Sequence, residues 1–283
     1  MNSRSDFDVW LKREVDDYKK REMKHTAANI SGTVNALYVY LTNHNINDVV
    51  IGISGGIDSS LVLAVLASIK KYYLPGLNIH AVNIHFSCYD GIFDFTYINE
   101  LKEEYKDVNF YDINATKSIE AIFDDAGLDK NDKELMAQSS YALRYQILFT
   151  YAQKYSGITI GTTNKDEMSY VGWFGKNSDM VVDVQILHNY HKFEVIYWAH
   201  NIGVPRSIIL RTPVGDLINR SSDEDNFGCS YDELAWYSAI GHKLEGLPFP
   251  LDKYMAEKFS KVEGLRKKNM HKYQGQKFNP IFL

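Results

Sequence analysis

The run Val49-Val50-Ile51-Gly52-Ile53-Ser54-Gly55-Gly56-Ile57-Asp58-Ser59-Ser60 decides how this chain reads. A β-branched apolar stretch feeds a glycine-rich turn, and the apolar segment LVLAVLASI, Leu61 to Ile69, follows at once. The pattern predicts a short buried strand over Val49–Ile53, a tight turn, and a helix over Ile57–Lys71. Two glycines let the backbone approach a ligand closely, and the following helix offers its first unpaired N–H groups and positive dipole end. A phosphate suits such a place. Yet the lysine of the usual phosphate loop, G-x-x-x-x-G-K-[S/T], is missing, since none lies between Asp48 and Lys70. Ser54 and Ser59 add hydroxyl donors, and Asp58 puts a carboxylate at the helix start. A carboxylate beside an anion calls for a divalent cation between them, and Mg²⁺ is the expected one. The same residues also suit a plain helix N-terminus.

Outward from this stretch, strand-like and helix-like segments alternate. NIHAVNIHF, VNFYDI and GITIGTT have strand character, while FDFTYINELKEEY and HKFEVIYWAHNIG read as helices, the latter stopped by Gly203 and Pro205. Two helical stretches fill the chain up to Tyr155. Short apolar strands separated by helices predict an α/β fold, a mostly parallel sheet flanked by helices on both faces. Ligands in such sheets sit at the carboxyl ends of the strands, where the turns after Ile53 and Ile160 both fall. Upstream, Phe7, Trp10, Leu11, Val15 and Tyr18 recur at helical spacing. They predict an amphipathic helix that packs on its own core or helps a subunit contact, with a second helix over AANISGTVNALYVYLTNH. After Pro250 a basic helical tail is expected. No repeat or linker divides the chain, so we read one domain over 1–283, with helices in 1–45 and a helix and tail in 250–283.

Composition narrows the class. The 283 residues carry a net charge of −5, against a nucleic-acid binder held by a general basic field. Two cysteines, Cys88 and Cys229, form no metal-binding spacing, and a reducing compartment fits. A charged N-terminal stretch is no signal peptide, and no apolar run reaches the ~18 residues that span a bilayer. The expected address is cytoplasmic, with no membrane partner.

The S-G-G-x-D-S residues resemble the signature of the PP-loop, or N-type ATP pyrophosphatase, superfamily. That family holds ATP's pyrophosphate end in this loop and cleaves between the α- and β-phosphates, in an adenine nucleotide alpha hydrolase-like fold. Four further segments resemble the NAD synthetase family in register: Gly161–Leu187 (GTTNKDEMSYVGWFGKNSDMVVDVQIL), Tyr190–Pro205 (YHKFEVIYWAHNIGVP), Thr212–Leu234 (TPVGDLINRSSDEDNFGCSYDEL) and His271-Lys272. The resemblance runs from about Val49 to Lys272. It implies a two-step amidation in which the nicotinate carboxylate of deamido-NAD attacks the α-phosphorus of ATP, and ammonia then displaces AMP from the acyl-adenylate. Exchanging a carboxylate's poor leaving group for AMP divides one hard step into two easier ones.

The resemblance also implies roles. Gly52, Ile53, Ser54, Gly55, Gly56, Ile57, Asp58, Ser59, Thr162 and Lys192 would bind ATP, with Asp58 and Glu167 on magnesium. One extra residue between Glu167 and Gly172 leaves Asp166 as the alternative ligand. Lys192 would stabilise charge on the α-phosphate, and Asp179 would receive ammonium and take its proton. Arg144, Lys176, Asp183, His271 and Lys272 would bind deamido-NAD, at a site that the family completes with a partner subunit, so a homodimer is implied. Each of these residues also has an ordinary reading as a turn, helix-start, surface or tail residue.

This chain departs from the family in places. Val214-Gly215-Asp216 lacks the hydroxyl that usually precedes Ala-Asp, Asn83 stands where an arginine often touches the adenine side, and QSSYALR keeps Arg144 alone of two arginines. Asp179-Met180 replaces Asp-Gly. Too few residues precede Val49 for a glutaminase domain, and neither cysteine lies in a nucleophile context. The expectation is ammonia used directly, a separate glutaminase partner remaining open. The rivals are a PP-loop ligase that adenylates another acceptor and a non-catalytic nucleotide-sensing paralogue.

Overall fold

A computed structural model describes residues 3–87, 95–211, 222–273 and 281–282. In chain order its elements are α1 (Arg4–Asn43), β1 (Asp48–Gly52), α2 (Ile57–Tyr72), β2 (Asn78–His85), α3 (Thr96–Glu104), β3 (Asn109–Asn114), α4 (Thr116–Ala126) and α5 (Lys133–Tyr155). Then follow β4 (Ile158–Gly161), α6 (Lys165–Ser169), β5 (Val184–Gln185), α7 (Lys192–Ile202), α8 (Arg206–Ile209), α9 (Asp223–Phe227), α10 (Tyr231–Ala239), α11 (Leu251–Lys258), α12 (Ser260–Asn269) and β6 (Ile281–Phe282).

The strands form one sheet in the order β3-β2-β1-β4-β5-β6. Every pairing is parallel. Side chains alternate across the sheet as the two-residue period demands. Val49 and Ile51 face a core shared with α1, α2, α3 and α7, whereas Val50, Val82 and Ile84 face Ile119, Phe123 and Leu148 of α4 and α5. Both faces are therefore covered, which explains why β1 reads as a continuous apolar run. The chain winds outward from β1 to β3 on one side and from β4 to β6 on the other. The reversal lies between β1 and β4, the place where open parallel sheets leave a crevice.

The N-terminal region differs from expectation: one 40-residue helix replaces the two predicted. Its front half does bury Phe7, Leu11, Val15 and Tyr18, but against Trp236, Leu251, Met255 and Phe259 of the same chain. The stripe is core, not a free subunit face. Its back half places Leu37 and Leu41 in the sheet core. The basic tail likewise breaks into α11 and α12, with a tight turn of helix at Met270–Lys272. Among the described residues, no helix is long and apolar enough to cross a membrane.

Candidate active site

β1 delivers the chain to the crevice, and the Ile53 N–H extends the pairing by donating to Val82 O at 2.9 Å. The backbone then turns sharply, with Gly55 at φ +73°, a conformation that side chains rarely tolerate. Two serines pin the turn. Ser54 Oγ accepts from the Gly56 N–H at 3.2 Å, and Ser59 Oγ donates to Gly56 O at 3.2 Å. Ser59 Oγ also accepts from the Ser54 N–H at 3.3 Å. α2 starts without a side-chain cap, which leaves its first N–H groups available to a ligand. Gly52, Ile53 and Ile57 frame the turn, the two isoleucines being buried in the core.

Asp58 stands on the first turn of α2, facing the loop that follows β4. There Asn164 caps α6, its Oδ1 accepting from the N–H groups of Asp166 and Glu167 at 3.1 and 3.2 Å. Its amide nitrogen donates to Asp58 Oδ1 at 3.1 Å and to Glu167 Oε1 at 2.8 Å, so one amide bridges the two carboxylates. On the far side of Asp58, Lys192 Nζ forms an ion pair with Oδ2. A third carboxylate, Asp223 at the start of α9, accepts from Tyr231 OH at 2.9 Å and Trp173 Nε1 at 3.2 Å. Tyr231 OH also lies 3.2 Å from Glu167 Oε1.

Three carboxylates thus crowd round one ammonium. Burial, and next the charge of Asp58, push Glu167 up to about 8. Burial also raises Asp223, against the opposing hydrogen bond from Tyr231 and the charge of Lys192. Burial alone would lower Lys192, but Asp58 and Glu167 outweigh it and hold the amine above its ordinary value. A divalent cation fits this donor set. Among the described residues no group of three or more acidic, histidine or cysteine side chains is arranged to hold a metal unaided. Two carboxylates sharing a cation with ligand oxygens is the arrangement that magnesium favours.

Lys192 is placed by a buried network. Asp166 Oδ2 accepts the Lys192 N–H at 2.8 Å, while its Oδ1 meets His191 Nδ1 at 2.6 Å. His191 Nε2 lies 2.9 Å from Tyr18 OH of α1, and Glu194 caps the His191 N–H at 2.9 Å. Both Asp166 oxygens are spent on α7, so of the two acids it is Glu167 that faces Asp58.

The crevice opens into a cavity of about 1330 Å³, with Ser54, Gly56, Asp58, Ser59, Thr162 and Glu167 at one end and His271 and Lys272 on its wall. Asp179 lines it too, accepting from Tyr145 OH at 2.9 Å, the Gly175 N–H at 3.0 Å and Ser178 Oγ at 3.0 Å. Lys272 Nζ donates to Gly172 O at 2.9 Å and lies over the Phe174 ring, and burial lowers its affinity for a proton. His271 Nδ1 meets Lys268 O at 3.0 Å.

Three predicted acceptor residues are not on this wall. The Arg144 guanidinium stacks over the Phe86 and Tyr141 rings. Lys176 is exposed, between the wall residues Gly175 and Asn177. Asp183 turns to the opposite end of β4, where its Oδ2 accepts from the Thr159 N–H and hydroxyl, both at 2.7 Å. Asn83 is buried and donates to Asp112 Oδ1 at 3.1 Å. Cys229 is buried, and burial pushes its thiol up to about 12, which fits packing rather than nucleophilic chemistry. Val214, Gly215, Asp216 and Cys88 lie outside the described residues. Asp223 escaped the sequence reading. Its signal was slight: a Ser cap ahead of three successive acids, one of which lands in the crevice.

The NAD synthase family model matches residues 29–275. An NH(3)-dependent NAD(+) synthetase of Mesoplasma florum is 32% identical over 233 residues, 82% of this chain and 87% of that protein. Among solved structures, NMN synthetase from Francisella tularensis has a TM-score of 0.66 at 23% identity, covering 85% of this chain and 95% of that one. NH3-dependent NAD synthetase from Campylobacter jejuni has a TM-score of 0.64 at 17% identity, covering 87% and 96%. At such identities the structures support the fold alone, while the sequence matches extend across most of both chains. A lysine-free glycine turn, its paired carboxylates and a match of this length make the chain a member of the NAD synthase family.

Proposed function

We propose that this chain is an ammonia-dependent NAD synthetase, amidating deamido-NAD to NAD at the expense of ATP and releasing AMP and pyrophosphate. The observation that carries this reading is the Asp58–Asn164–Glu167 bridge with Lys192 at the mouth of a turn that has no lysine of its own.

The turn N–H groups and the start of α2 hold the pyrophosphate end of ATP. Asp58 and Glu167 would hold Mg²⁺, which would neutralise charge on the phosphate oxygens. Lys192 would stabilise the α-phosphate, where negative charge grows as the acceptor carboxylate attacks. The bond from the α-phosphorus to the bridging oxygen breaks, and pyrophosphate leaves. Ammonium is drawn to Asp179, which takes a proton so that the nitrogen lone pair attacks the acyl carbon and AMP departs. Tyr145, Gly175 and Ser178 hold the carboxylate of Asp179 in place for this.

His271 and Lys272 meet the acceptor's anionic groups. Arg144, Lys176 and Asp183 are assigned to the acceptor by resemblance alone, and a homodimer would bring further surface to that end. The enzyme is read as cytoplasmic, supported by its scarcity of cysteine. Incubation with ATP, Mg²⁺, ammonium and deamido-NAD should give NAD and AMP in equal amounts. Turnover on another carboxylic acid but none on deamido-NAD would assign the site to a different acceptor. Nucleotide binding by calorimetry without AMP release would mark a sensor.

A further inference from the structure

Beside the turn, and not among the residues that line the cavity, one cation makes a contact that the reaction scheme leaves unused. Arg211, just beyond the Leu210 C-cap of α8, donates from Nη1 to Gly55 O at 3.2 Å. Its guanidinium lies over the Tyr97 ring of α3, 4.6 Å from the centroid. Among the described residues no carboxylate pairs with it. A Cβ on Gly55 would stand 3.0 Å from Tyr97 Cβ and 3.7 Å from Arg211 Nη1, so the bracket packs closely against the turn. Ser54 and Gly56 line the cavity and Gly55 does not, which fits a Gly55 carbonyl aimed outward.

We propose that Arg211 is a positioning residue for the pyrophosphate end of ATP, acting as a lock on the Gly55–Gly56 peptide. In a planar trans peptide the C=O and N–H point in opposite directions. Holding the Gly55 carbonyl on Arg211 therefore keeps the Gly56 N–H on the side of Ser54 Oγ and the cavity. A flip of this peptide would turn a carbonyl oxygen toward phosphate and withdraw an N–H donor. Glycine on both sides makes such a flip sterically cheap, and Arg211 on the carbonyl complements Ser54 Oγ on the N–H of the same peptide. A guanidinium is suited to it, since it stays charged and its planar face stacks on the ring. The bracket ties α3, α8 and the turn into one unit.

This inference rests on the assignment of the turn to ATP's pyrophosphate end, and the test separates the two. Steady-state kinetics of Arg211→Met, Arg211→Lys and Tyr97→Leu should be compared with the unmodified enzyme, using inorganic pyrophosphate as competitor against ATP. Arg211→Met is expected to raise KM for ATP and the inhibition constant of pyrophosphate by about tenfold, the scale of a lost hydrogen bond to a charged group. KM for deamido-NAD should stay within about twofold. Arg211→Lys, which can donate but cannot stack on the ring, should recover part of the loss, and Tyr97→Leu should show a smaller change of the same kind. Pyrophosphate that fails to compete with ATP on the unmodified enzyme sinks the assignment of the turn and the lock with it. Pyrophosphate that competes equally well on the unmodified enzyme and Arg211→Met sinks the lock alone. Parallel rises in both KM values with a lowered Tm would make Arg211 merely structural. Should Arg211→Met not fold, an unchanged KM for ATP in Tyr97→Leu overturns the proposal.

Discussion

The two ends of one sheet carry polar clusters of opposite character. Toward the amino ends, Asp48 Oδ1 meets His80 Nε2 at 2.8 Å, and His80 Nδ1 lies 3.2 Å from Tyr111 OH, itself 3.0 Å from Tyr155 OH. His80 is buried and stacks on Tyr155 at 3.9 Å. Each group there answers another, and the cluster ties β1, β2, β3 and α5 together. At the carboxyl ends Asp58, Glu167 and Asp223 share one lysine, and Glu167 is pushed up to about 8. A saturated cluster stabilises the fold. An unbalanced one is suited to a charged ligand, and that imbalance, not polarity or burial, marks the candidate site.

The comparison breaks most sharply at Asp58. Asp58→Asn removes a charge from the proposed magnesium site and should lower AMP release by several orders of magnitude, with thermal stability kept. Near-normal turnover would overturn the assignment. Asp179→Asn should separate the two steps. ATP–pyrophosphate exchange driven by deamido-NAD should continue, while NAD formation falls by about 10² as a general base is lost; equal losses in both would deny Asp179 its role with ammonium. Lys272→Ala should raise KM for deamido-NAD by roughly tenfold with kcat almost unchanged, the signature of lost uniform binding. At the opposite end, His80→Leu removes the imidazole that meets Asp48 Oδ1 and leaves that carboxylate with the Asn78 amide. It should cost about 1–3 kcal/mol, seen as a lowered Tm, with kcat intact. A large fall in kcat for this variant would erase the distinction between the ends.

How much of this was legible follows from how local each signal is. The strand, turn and helix of Val49–Lys71 were readable because their determinants are neighbours in sequence. So were the strands whose apolar runs are long enough to show a period. β5 was not, because two residues show no period, and it exists through pairing with β4. The continuity of α1 was hidden by the polar run Arg21–Thr26, which separates the two expected helices and shows no apolar period. Burial of Val15 and Tyr18 before it and of Thr33, Leu37 and Leu41 after it carries the helix through. In the site, Asp58 and Lys192 were found by register, whereas Asp166 and Glu167 were told apart only by where Asn164 and His191 stand. Asp223 sits among Asp223-Glu224-Asp225, where sequence ranks no acid above its neighbours; Tyr231 and Trp173 select it in space.

On the proposed function, the turn and its carboxylates hold ATP so that the adenylyl group, not the terminal phosphate, passes to the acceptor. Deamido-NAD labelled with ¹⁸O in its nicotinate carboxylate tests it directly, by mass analysis of the phosphorus-containing products. Attack at the α-phosphorus and departure of AMP predicts one labelled oxygen in AMP and none in pyrophosphate. Label in inorganic phosphate, with ADP accumulating, would contradict the account.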